Sequence, residues 1–190
     1  MTQSKNRSDH STFRITFIGM MAAIIFVVNY LRIPFMGTSL HLTNGLCALA
    51  GLLFGPAGGF LAAGLGSFLF DLVSGYSAQS FITLITKGMI AFVAALIGYK
   101  AAHEEKLGSR EHLIILIASI LGAFTYVALY MLKTFVMGRF VNGLAPDAVT
   151  VTMLSKLPGS LLNAVFASIV SPVLYNVLRP ALKHSGLFIE

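Results

Sequence analysis

Residues 42–76, LTNGLCALAGLLFGPAGGFLAAGLGSFLFDLVSGY, decide the fold. Their apolar run is interrupted by Gly and Ala, and its only charged residue is Asp71. Gly55-Pro56 stands in the middle: Gly suits a helix end and Pro the first turn of the next helix. The stretch therefore predicts two apolar helices joined by a tight turn. Beyond the turn, Gly55, Gly59, Ala63 and Ser67 recur every four residues, with Gly58, Ala62 and Gly66 in a parallel row. Helices in lipid pack through small residues, because lipid gives them no hydrophobic drive to associate. The small ridge thus faces other helices, and its continuation to Asp71 turns that carboxylate toward the bundle interior.

Composition extends the reading to the whole chain. Of 190 residues, 56% are hydrophobic and 11% charged, against about 25% charged in a soluble domain. Mean hydropathy is +0.84. These values exclude a soluble globular protein and a disordered chain. The net charge of +6 does not form a basic stripe for nucleic acid; the basic residues flank apolar runs, a topology signal. The lone Cys47 excludes an internal disulfide and a Cys-rich metal site. Without Trp, the interface anchors must be Tyr and Phe.

The pattern predicts an all-α, polytopic membrane protein of six spans, over residues 13–33, 41–54, 57–73, 80–98, 112–138 and 157–178. Pro34 and Gly37 open a loop over 34–40. The polar segment 1–12 reads as a cytoplasmic tail, 99–111 as a charged loop, 139–156 as a polar connection and 179–190 as a second cytoplasmic tail. The first span lacks a cleavage site and reads as retained. Pro158 starts the sixth span and Pro172 kinks it. The inner segments hold Lys5, Arg7, Arg14, Lys100, Lys106, Arg110, Arg179 and Lys183, the outer ones only Arg32, Arg139 and Lys156. That bias puts both termini inside.

Polar residues then gather in one half of the bundle. His41, Asn44, Asp71, Lys87, Lys133, Lys156, Ser160 and Asn163 all map to the outer half, and the inner halves are almost wholly apolar. Thr83, Lys87, Ala91 and Ala95 share one ridge; Gly159, Asn163, Ala167 and Ser171 share another. Through-pores need polar lining at both depths, so a pocket open outward and closed beneath is expected. Tyr126, Tyr130 and Tyr76 suit stacking on a flat ring.

Every one of these residues also has a structural reading. Asp71 and Lys87 are either a structural ion pair or ligand groups. Asn163 also suits interhelical glue, Lys133 snorkelling to the interface, Tyr126 and Tyr130 packing, and His41 a loop. Arg32 and Arg139 read as topological anchors. Gly19 and Ala23 on the first span are either bundle packing or a flat strip for another membrane subunit.

No phosphate loop, zinc-protease motif or nucleophile elbow occurs, and the five histidines offer no metal spacing. The chain reads as no enzyme. A pocket without a motor implies that a partner supplies the work. Three other classes were weighed: a self-sufficient carrier or channel, a membrane enzyme acting on lipid or prenyl groups, and an assembly scaffold. The first lacks polar groups at both depths; the second lacks motifs.

Three stretches resemble the substrate-binding S components of energy-coupling factor (ECF) vitamin transporters: the first helix with Gly19 and Ala23, the segment 42–76 with FITLITKGMIAFVAALIGY (81–99), and KLPGSLLNAVFASIVSPVLY (156–175). The likeness is to the subgroup with riboflavin-type and pyridoxine or hydroxymethylpyrimidine S components. It implies a six-helix bundle in the bacterial cell membrane that captures a vitamin at its outer face. The implied partners are a transmembrane coupling subunit and two cytoplasmic ATPases, with ATP used by those partners and no cofactor held by this chain. In the family, 34–40 would be a lid, Gly19 and Ala23 would meet the coupling subunit, and Lys87, Tyr126, Tyr130, Ser160 and Asn163 occupy ligand-contact positions. Gly19 departs from the usual pair of alanines. The absence of Trp and the presence of Tyr, Lys and Asn favour pyridoxine or hydroxymethylpyrimidine over riboflavin. The residues expected at the substrate are His41, Asn44, Asp71, Lys87, Tyr126, Tyr130, Ser160 and Asn163.

Overall fold

The computed structural model describes residues 2–35 and 38–184, with side chains at 12–34 and 39–183. Its elements are α1 (Thr2–Val28), β1 (Arg32–Phe35), β2 (Thr38–His41), α2 (Thr43–Val73), a 3₁₀ turn (Ser77–Gln79), α3 (Ser80–His103), α4 (Ser109–Val136), a π turn (Met137–Val141) and α5 (Pro146–His184).

Helix α2 is broken at Gly55, whose φ of 77° and ψ of −176° lie where only glycine is comfortable. The chain doubles back there. A Cβ on Gly59 would stand 2.5 Å from Gly51 Cα, so the two arms press backbone to backbone. The first arm, 43–54, is buried along its whole length. At 1.5 Å per residue it rises about 18 Å, well short of the ~30 Å hydrocarbon core. It is a central post wrapped by the other helices. Arg14 of α1 donates to the Phe54 carbonyl at 2.9 Å, satisfying one acceptor left over at the arm's end.

Small residues face inward and large apolar ones outward. A Cβ on Gly51 would fall 2.0 Å from the Ala91 carbonyl oxygen of α3. Leu61, Leu65, Leu69 and Leu72 are exposed on the opposite side of α2. That inversion suits lipid rather than water. Among the described residues, four helical stretches are long and apolar enough to cross a membrane: Thr43–Val73, Ser77–His103, Ser109–Val141 and Pro146–Lys183. The apolar part of α1, Thr12–Val28, is shorter.

Several expected boundaries shift. The fold is not purely helical: the segment read as a loop over 34–40 pairs with Arg32 and Ile33 in an antiparallel hairpin, Arg32 opposite His41 and Pro34 opposite Ser39; Met36 and Gly37 lie outside the described residues. Helix α1 begins at Thr2, so the polar segment 1–12 is helical from there. Helix α3 runs on to His103, because Lys100 and His103 suit the negative end of a helix dipole and do not terminate it. Helix α5 starts at Pro146, within the expected polar connection, and reaches His184 through Pro158, Pro172 and Pro180. Residues 185–190 of the expected tail lie outside the described residues.

Candidate functional site

The hairpin, the C-terminal end of α2, the first half of α3 and the C-terminal half of α4 converge on a cavity of about 230 Å³. The doubled-back α2 explains why: its turn at Gly55 sends residue 44 and residue 71 to the same end of the bundle. Beneath the cavity stands the buried first arm of α2, with Cys47, Leu49 and Leu52 completely shielded.

Of the residues expected at the substrate, His41, Asp71, Lys87, Tyr126 and Tyr130 line the cavity. Lys87 is 5% exposed. Its ammonium donates to Asn44 Oδ1 and stands 5.0 Å from the Tyr126 ring centroid. Tyr126 and Tyr130 stack at 5.5 Å with 16° between their planes. Asn44 sits behind Lys87 rather than on the wall. Asp71 shares the wall with Lys87 and acts on it electrostatically.

Asn163 and Ser160 stand apart from the cavity wall. Asn163 grips the hairpin: its Oδ1 accepts from the His41 backbone N–H at 2.8 Å and its Nδ2 donates to the Ser39 carbonyl at 2.7 Å. Ser160 is buried and donates to the Leu157 carbonyl at 2.9 Å. The sequence pattern assigns both to the same half of the bundle as the wall residues, and such an assignment does not tell a wall residue from one a layer behind it.

Other wall residues carry a different expectation from the sequence. Arg32, taken for a topological anchor, is held against two rings, 5.1 Å from the Phe70 centroid and 5.2 Å from that of Tyr76. Lys133, open to snorkelling, donates to Gln79 Oε1 at 2.6 Å. Asn29, Ser39, Gln79, Thr83 and Thr86 add to the polar lining. The signal for Arg32 was the strand that carries it, and a four-residue strand with a proline leaves little trace in a sequence.

Among the described residues, His41 Nδ1 on the wall and Asn44 Nδ2 a layer behind it have no hydrogen-bond partner. Such atoms are costly to leave unpaired, and His41 Nδ1 is the one an incoming polar ligand would satisfy. Burial pushes the His41 imidazole down to about 3, helped by Lys87 and then Arg32. His41 is therefore neutral at physiological pH, one ring nitrogen donating and the other accepting. The site offers stacked rings, fixed donors and a neutral imidazole. It can bind a small polar aromatic molecule; no nucleophile–base pair is assembled in it.

The family model of the ECF-type riboflavin transporter S component matches residues 9–180. The chain belongs to that family of S components. The resemblance carried by the three quoted stretches therefore holds, and the family is one of transporter subunits, not of enzymes. No curated protein matches the chain by sequence. Among solved structures, the S component described in "Structure and mechanism of the S component of a bacterial ECF transporter" superposes with a TM-score of 0.65 at 19% identity, over 91% of this chain and 99% of that one. At that identity the likeness speaks for the shared fold. As an S component the chain is an integral, multi-pass membrane protein, in keeping with its four long apolar helices.

The expected partner strip, Gly19 and Ala23, is exposed on α1. A Cβ on Gly19 would meet nothing within 4 Å.

Proposed function

We propose that this S component captures a water-soluble vitamin or vitamin precursor in the hairpin-covered cavity, at the outer face of the membrane. A transmembrane coupling subunit and two cytoplasmic ATPases then drive delivery inward. The observation that carries the reading is the cavity itself: stacked tyrosines, a buried Lys87 and the unpartnered Nδ1 of His41, closed beneath by the first arm of α2. In this reading both termini lie inside, an orientation that the Lys and Arg distribution supports. Gly19 and Ala23 form the strip that meets the coupling subunit, and the ATPases, not this chain, use ATP.

His41, Asp71, Lys87, Tyr126 and Tyr130 are the ligand contacts in this reading. Asn44 acts through Lys87, and Asn163 with Ser160 supports the wall. A hydroxylated pyridine or pyrimidine ring, as in pyridoxine or hydroxymethylpyrimidine, suits a cavity of about 230 Å³ with two stacked tyrosines. Riboflavin is the second reading, favoured by the description of the matching family.

Calorimetric titration of the detergent-purified full chain with pyridoxine, hydroxymethylpyrimidine and riboflavin tests this. One of the three binding at one molecule per chain, and losing affinity in Tyr126→Leu, is the expected result. Flavin absorbance retained on purification would decide for riboflavin. Binding of none, or uptake into liposomes by this chain alone, would overturn the proposal, the latter in favour of a self-sufficient carrier.

A further inference from the structure

We infer that the ligand of this cavity carries an anionic group, a phosphate ester or a carboxylate, on its ring. The inference rests on the capture reading above and names the class of substrate. Arg32, Lys87 and Lys133 line the cavity, and Asp71 is the one carboxylate on its wall. A fourth cation, Lys156, stands 6.0 Å from the Tyr130 ring centroid.

The partners of these cations are neutral. Lys87 donates to an amide oxygen, Lys133 to another, and Arg32 and Lys156 rest on rings. The counter-charge on the wall is Asp71, which acts electrostatically on Lys87 and Lys133, one carboxylate against three cations. Amide and ring partners orient a cation without cancelling its charge. Away from bulk water like charges repel more strongly, and a buried cation lacking a counter-ion is costly. A bound anion relieves both, and an electropositive cleft also raises the rate at which anions arrive. Snorkelling to lipid headgroups does not account for Lys87, which is 5% exposed and turned onto Asn44.

The test uses the full chain in uncharged detergent at low salt, titrated with three matched pairs: pyridoxine and pyridoxine 5′-phosphate, riboflavin and flavin mononucleotide, nicotinamide and nicotinate. In at least one pair the anionic member should bind roughly tenfold tighter or more, as charge-assisted hydrogen bonds allow. That advantage should shrink with added KCl and be lost in Lys133→Gln, a half-buried wall position that leaves the core intact. The phosphate and carboxylate pairs distinguish the two anions. If no anionic member outbinds its neutral partner, the inference is wrong; neutral members binding would then leave the capture reading standing, and no binding by any probe would remove both. Inorganic phosphate alone stabilising the chain as well as a phosphorylated ring would also overturn it, as would an advantage that survives in Lys133→Gln.

Discussion

At the residue scale, His41 and Asn163 show how one polar contact sets the site. The His41 ring is held neutral by burial, with its pKa lowered from 6.5 to about 3. The folded chain therefore resists a proton that the unfolded chain accepts. Stability is full above pH 6.5 and declines as pH falls from there toward 3. Thermal melts at pH 7 and pH 5 should show the wild type losing more than His41→Gln; equal losses would contradict the assignment. Asn163 was readable as polar and at the right depth, but its job was not. Its two hydrogen bonds fasten β2 to α5, and each is worth about 1 kcal/mol net. Asn163→Ala should speed hydrogen exchange at the His41 amide and raise the ligand off-rate, leaving the stacked tyrosines in place. Unchanged exchange there would argue against a hairpin staple.

At the element scale, the glycine ridge was the most legible feature. Gly55-Pro56 and the small residues after it marked a turn and a closely packed arm because only glycine permits that φ and that approach. A Cβ at Gly51 would collide with the Ala91 carbonyl at 2.0 Å, whereas one at Gly19 meets nothing. Gly51→Ala should therefore destabilise the bundle by at least about 1–3 kcal/mol, while Gly19→Ala leaves the melting temperature unchanged in detergent. Thermal unfolding of the two variants side by side checks this. The hairpin was not legible: two four-residue strands, one with Pro34, give no alternation to read. Helix ends were misplaced where charge was taken for a terminus, as at Lys100 and His103. Charge marks water, and helices continue into water.

At the scale of the whole molecule, uneven polarity was legible and proved to be spatial. Five of the residues predicted from depth converge on one cavity, because α2 returns its two ends to the same side. Residues that approach through the hairpin or from one layer behind, such as Arg32 and Asn44, could not be ranked from a one-dimensional pattern. The buried first arm of α2 closes the floor, and this gives the molecule the form of a cup. The central claim is that the cup holds the ligand. A structure of the full chain with its bound vitamin tests it most directly. The account predicts ligand density against Tyr126 and within hydrogen-bonding reach of Lys87, roofed by the hairpin; density at the opposite end of the bundle, or a water-filled passage running past Cys47 and Leu49, would contradict it.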